Sequence, residues 1–97
     1  MPNYIVLGNF TDQGIRNIKD APKRADAVAA MAKKAGASLK ETYWTLGQYD
    51  FVAIFEAPDD VTMTGLGLSI GKLGNARTQT LPAFPSAEFK SVLGKTA

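Results

Sequence analysis

The chain contains no cysteine and no histidine. Without cysteine there can be no disulfides, thiol nucleophiles, iron–sulfur clusters or zinc–thiolate sites. Without histidine there can be no Ser-His-Asp triad, no imidazole proton shuttle and no His-ligated metal or haem. The nine acidic residues are scattered and show no EF-hand spacing. The composition therefore leads us to expect neither a metal nor a cofactor. Charge of one sign is also scarce: the net charge is +2, a weak pointer to nucleic acid. No apolar run approaches the roughly 18–20 residues of a membrane span, and no basic-then-apolar leader opens the chain. From these absences we expect a mature cytoplasmic protein that acts neither on nucleic acid nor in a membrane.

What is present suits one globular domain, residues 1–97, with 45% hydrophobic residues and a mean hydropathy of −0.07. Asn3–Phe10 is β-rich and reads as a first strand. Thr11 and Asp12 can cap a helical turn in which Ile15 and Ile18 lie three apart. Asp20-Ala21-Pro22 then reads as a restart, with Asp20 as cap and the proline in the first turn. Ala25, Val28, Met31 and Ala35 form the apolar stripe of the strongest helix, which Gly36 stops. Ser38–Leu46 and Tyr49–Ala57 read as two strands joined at Gly47-Gln48, which favours a type II′ hairpin turn. That register pairs Thr45 with Asp50, Trp44 with Phe51 and Tyr43 with Val52. Asp59 can cap a second long helix, with Met63, Leu66, Ile70 and Leu73 facing inward. Gly65, Gly67 and Gly71 in that helix permit close approach to a neighbour. Asn75–Leu81 reads as a fourth strand, and Ser86–Leu93 as a short terminal helix capped by Ser86.

The order βαββαβ implies an α+β, ferredoxin-like four-stranded antiparallel sheet with two helices on one face and a short C-terminal helix. The hairpin register places Trp44, Leu46, Tyr49, Phe51, Ala53 and Phe55 on one face. Leu39, Tyr43, Val52 and Ile54 fall on the other, with Asp50 and Glu56 at its ends. Strand one repeats this, with Tyr4 and Val6 against Ile5 and Leu7. Neither face is polar enough to meet water, whereas an open two-layer sheet needs only one apolar face. Either a second copy covers the free face, giving a homodimer or higher oligomer, or the C-terminal segment folds beneath it in a monomer.

The segments Leu46–Asp60 (LGQYDFVAIFEAPDD), Phe10–Arg24 (FTDQGIRNIKDAPKR) and Leu73–Phe84 (LGNARTQTLPAF) resemble the GYD-domain family. A Gln separates Gly47 from Tyr49, so the Gly-Tyr-Asp tripeptide is interrupted here. The resemblance spans nearly the whole chain and implies a dimeric α/β barrel of the ferredoxin-like type. The family carries no established activity, so the resemblance transfers no catalytic residues. Superfamily relatives include small cofactor-independent monooxygenases, isomerases and haem enzymes, and the lack of histidine argues against the haem and His-dependent branches.

Two functional readings follow. One is a small-molecule-binding or structural assembly module. The other is a cofactor-independent monooxygenase or isomerase acting on a small organic substrate in a helix–sheet pocket. In the second, Asp50 is a general base and Tyr49 a hydrogen-bond donor or acid. The structural alternative makes Gly47-Gln48 the turn and leaves Asp50 accepting from Thr45 or nearby backbone. Trp44, with Tyr43 and Asn9, forms the candidate ligand-lining set, and Trp44 also suits a core or interface role. Arg16, Lys19, Lys23, Arg24 and Arg77 could attract an anion. RNA-recognition modules share the βαββαβ order, but their third strand carries a basic-aromatic signature. Here Asp50–Pro58 reads DFVAIFEAP, without Arg or Lys. The run GLGLSIG misses the phosphate-loop spacing and lies within a helix.

Overall fold

The computed structural model describes residues 1–97. In chain order it contains β1 (Asn3–Phe10), α1 (Asp12–Arg16), a 3₁₀ turn (Ile18–Asp20), α2 (Ala21–Lys34), β2 (Ser38–Trp44) and β3 (Phe51–Glu56). There follow α3 (Asp60–Lys72), β4 (Ala76–Ala83) and α4 (Ser86–Leu93). The strands form one antiparallel sheet in the order β2-β3-β1-β4, the ferredoxin-like arrangement.

The alternation along β1 decides the layers. Tyr4 and Val6 are buried with Ala53 and Phe55 of β3, Ala32 of α2, and Met63 and Leu66 of α3. Val28, Met31, Leu39, Phe51 and Ile70 pack around this cluster. At about 1.5–3 kcal/mol for each fully buried large apolar side chain, Val6, Phe55 and Met63 anchor the two helices to the sheet. Gly8 shows how tight the contact is. A β-carbon there would lie 2.0 Å from Cζ of Phe51, so the aromatic ring occupies the space the glycine leaves.

Local signals set most boundaries. Thr11 caps α1 by accepting from the Gly14 amide, and Asp59 caps α3 by accepting from the Thr62 amide at 2.8 Å. The Thr62 amide, and then its hydroxyl, hold the Asp59 carboxyl below its ordinary pKa against the opposing effect of burial. Tyr4 donates to Oδ1 of Asp60 at 2.6 Å, tying the first turn of α3 to the sheet. That bond to a carboxylate, then burial, then the charges of Asp60 and Asp59 push the phenol up to about 12.

Several expectations need correction. Asp20 ends the 3₁₀ turn in helical backbone and makes no side-chain cap bond. Pro85, not Ser86, occupies the cap position of α4, again without a side-chain bond. Ala35 is exposed, and the buried residue of the α2 stripe is Ala32. β4 runs through Pro82 to Ala83, which a sheet edge tolerates because the outer side of that strand needs no amide donor. Nothing lies within 4 Å of a β-carbon placed at Gly65 or Gly71, so those glycines serve no close approach within the chain.

The largest correction concerns Leu39. The register of β2 against β3 shifts between Leu39 and Glu41. This bulge at Lys40 changes the side-chain phase, so Leu39 pairs with Phe55 and packs against the core rather than on the free face.

The other face carries Ile5, Leu7, Val52 and Ile54, half-buried, beside exposed Tyr43 and Leu81. No helix covers it: α4 buries none of its own residues.

Candidate functional site

Between α2, α3 and the sheet lies a cavity of about 80 Å³, walled almost wholly by apolar side chains such as Val28, Leu39, Phe51 and Ile70. Arg24, Thr42 and Asn75 are its polar neighbours. It is far smaller than the roughly 300–1,000 Å³ typical of small-molecule sites. Phe10, Ala21 and Trp44 border both this cavity and an open groove of about 350 Å³ at the hairpin end of the sheet. Ile15, Ile18, Pro22, Thr45 and Asp50 complete the groove. Groove and cavity thus share three side chains at this end of the sheet.

Elementary turn chemistry builds one wall. Gly47 adopts φ +119°, a left-handed value that allows the chain to reverse between Trp44 and Phe51. The expected pairings Tyr43–Val52 and Trp44–Phe51 are present, and the Thr45 amide donates to the Asp50 carbonyl at 2.8 Å. Beyond Phe51 the ladder changes partner. The Tyr49 carbonyl accepts from the Thr45 hydroxyl at 2.6 Å. Oδ2 of Asp50 accepts from the Phe10 amide at 2.9 Å, while the Asp50 amide donates to the Gly8 carbonyl at 2.8 Å. The carboxylate thus stands where a strand carbonyl would, and it holds the end of β1 against the hairpin.

The opposite wall is α1 and the turn that follows it. Arg24 donates to the carbonyls of Asn17 at 2.7 Å and Gly14 at 3.3 Å. Its guanidinium also lies 5.7 Å from the centre of the Phe10 ring. The candidate anion-binding arginine is therefore engaged in holding this wall, and it presents Ile15 and Ile18 about half exposed.

The sequence-derived residues divide between two sides of the sheet. Trp44, 49% exposed, and Asp50 border the groove. Tyr49 does not join them, although it was expected on the Trp44 side. Its hydroxyl reaches Oε1 of Gln79 at 3.4 Å, and Gln79 pairs with Leu7 on the free face. Tyr43, paired with Val52, and exposed Asn9, paired with Arg77, share that free face and do not line the cavity. The Tyr43 hydroxyl donates to Glu41, whose carboxylate raises its pKa. Tyr49 and Asp50 consequently do not converge on one substrate position. The groove residues absent from the sequence-derived set are Phe10, Ile15, Ile18, Ala21, Pro22 and Thr45. Two isoleucines three apart in an otherwise polar stretch, one in α1 and one in the 3₁₀ turn after it, were the available signal.

No group of three or more acidic, cysteine or histidine side chains is placed to hold a metal ion. No helix is long and apolar enough to cross a membrane.

The fold is a ferredoxin-like α+β domain with a largely apolar groove at one end of its sheet. More particularly, the chain belongs to the GYD domain family, whose model matches residues 4–93. A protein of Thermus thermophilus, named glutamine synthetase and cystathionine beta-lyase binding protein, is 35% identical over 90 residues. The match covers 92% of this chain and 95% of that one. Among solved structures, a feast or famine regulatory protein from M. tuberculosis, complexed with L-methionine, superposes with a TM-score of 0.68 at 16% identity. That match covers 89% of this chain, which spans about half (52%) of the longer protein. A second solved structure, of a Thermus thermophilus protein, superposes with a TM-score of 0.57 at 24% identity, covering 89% of this chain and 96% of its own. At these identities the structural likeness shows the fold.

Proposed function

We propose that this chain is a self-associating binding module, and that its groove receives the apolar part of a small organic ligand. The observation that carries this reading is the groove itself: exposed Trp44, Ile15 and Ile18 surround an opening of about 350 Å³ that shares Phe10, Ala21 and Trp44 with the apolar cavity. Burying exposed apolar surface is worth about 25 cal/mol per Å², so these side chains gain from an apolar guest. The alternative, a cofactor-independent monooxygenase or isomerase using Tyr49 and Asp50, has less support. The two side chains serve opposite sides of the sheet, and the Asp50 carboxylate already accepts from Phe10. Self-association rests on the free face. Ile5, Leu7, Val52, Ile54, Tyr43 and Leu81 form an apolar surface that a second copy would cover as an isologous homodimer.

Trp44 is the single tryptophan of the chain, so intrinsic fluorescence reports on the groove without labelling. Titration with L-leucine, L-phenylalanine and L-methionine should give a saturable change in Trp44 emission. The Ile18→Glu variant should abolish that change while keeping its far-UV circular dichroism. Unchanged emission with all three probes would remove the small-molecule reading.

The name of the Thermus thermophilus relative favours a second reading, in which the same apolar rim docks a metabolic enzyme. Here glutamine synthetase mixed with this chain should co-elute in size-exclusion chromatography, and Ile15→Glu should abolish the co-elution. Separate elution of the unsubstituted chain would refute the docking reading.

A further inference from the structure

α4 receives little support from its own chain. None of its residues is buried, and Phe89 (47%), Leu93 (57%) and the preceding Phe84 (61%) stand exposed. Phe89, half-buried Val92 and Leu93 share one side at helical spacing, so most of the apolar face of the helix is uncovered. An isolated helix shorter than about 12–15 residues is marginal in water, and α4 has 8. It needs a surface to lie on.

Its position says which surface. Nδ2 of Asn3 donates to Oε2 of Glu88 at 3.3 Å. Asn3 pairs with Ala83 and Glu56 in the phase of Ile5 and Leu7, so it lies on the free-face side of β1. α4 is thereby held at the margin of the uncovered face. The molecule extends 49 Å along its longest axis, and its radius of gyration of 14.3 Å exceeds the about 12–13 Å of a compact chain this long.

The size of the free face supplies the second argument. Strands about 4.8 Å apart, rising about 3.3 Å per residue, make a four-stranded face roughly 20 Å on a side over six paired residues. Its projected area is on the order of 400 Å², against about 800 Å² per partner in a standard specific interface. Side chains raise the accessible area of that face above its projection, so the sheet alone approaches a standard interface and apolar area at its margin would extend it. Phe84, Phe89 and Leu93 can each add roughly 100 Å² if the partner covers them, since a buried aromatic removes about 150–250 Å² in full.

We propose that α4 is a reciprocal arm: in the dimer, Phe84, Phe89 and Leu93 of each copy lie against the margin of the second copy's free face. The inference rests on the sheet-to-sheet dimer of the preceding section. It assigns the occupant of the α4 surface to another copy of this chain, reached from both ends of a two-fold interface.

The test uses the full chain. A mixed dimer of ¹³C-labelled and unlabelled protein should give intermolecular NOEs from the Phe89 ring and Leu93 methyls. Sedimentation equilibrium of the Phe89→Ser, Leu93→Ser double variant should show a dimer weakened on the order of 10-fold, the scale of losing apolar contacts of about 1 kcal/mol at the margin of an interface. Its far-UV circular dichroism should still show the folded sheet. A dimer whose intermolecular NOEs involve only Ile5, Leu7, Val52 and Ile54, or whose affinity is unchanged in the double variant, overturns the arm and leaves the sheet dimer standing. A monomer throughout, in the unsubstituted chain at about 100 µM, overturns both.

Discussion

Replacing Asp50 by alanine separates a structural carboxylate from a chemical one. Oδ2 of Asp50 is the acceptor for the Phe10 amide at 2.9 Å, in a half-buried position at the end of β1. The Phe10 amide donates to that oxygen, so Asp50→Ala leaves the donor without its partner, at a cost of about 1–3 kcal/mol. The groove beside Asp50 admits water, which places the loss toward the lower end, about 1.5 kcal/mol. For a domain of this size that is a fall in Tm of roughly 6–12 °C. Asp50→Asn keeps an acceptor oxygen and loses only its charge, so it should cost less than half as much. Thermal unfolding followed by circular dichroism at pH 7 measures both, and urea titration supplies the free energies. An alanine variant that melts with the unsubstituted chain would refute the structural assignment. So would an asparagine variant as damaged as the alanine one. A catalytic Asp50 predicts the reverse pattern, with melting unchanged and turnover lost.

Two further outcomes test the packing. A β-carbon at Gly14 would lie 2.1 Å from the Asn75 carbonyl oxygen, which is already fixed by the Thr11 amide at 3.1 Å. Gly14→Ala should therefore destabilise the chain by about 3 kcal/mol, the upper end for overpacking, as read by urea denaturation. With Tyr43, whose phenol pKa is also raised, Tyr4 contributes to the alkaline limb of stability. Its folded pKa of about 12 lies above the ordinary 10.0, so its contribution is whole below pH 10 and is lost as pH rises toward 12. Tyr4→Phe should flatten the fall of Tm between pH 10 and 12, and an unaltered alkaline limb would remove Tyr4 as a contributor.

Much of this architecture is local in origin, which is why it was legible without coordinates. Gly47 sets the hairpin, and the turn sets the Trp44–Phe51 register. Asp59 starts α3 through a bond three residues away. Alternation along β1 separates Tyr4 and Val6 from Ile5 and Leu7. What misled was a change of phase or partner that no short window records. One extra residue at Lys40 moves Leu39 to the core. A side-chain bond ties Asp50 to Phe10, 40 residues away in sequence, while Tyr49 reaches the far face.

The amino-acid order by itself determined the element types, the hairpin register and an apolar surface on both sides of the sheet, because caps, turns and alternation act over a few residues. Only the tertiary structure decided that Ile15, Ile18, Trp44 and Asp50 border one groove, that Tyr49 stands apart from it, and that α4 is left largely without cover. Those relations depend on which distant strands pair and where a bulge shifts them, and pairing is settled by the packing of the whole chain.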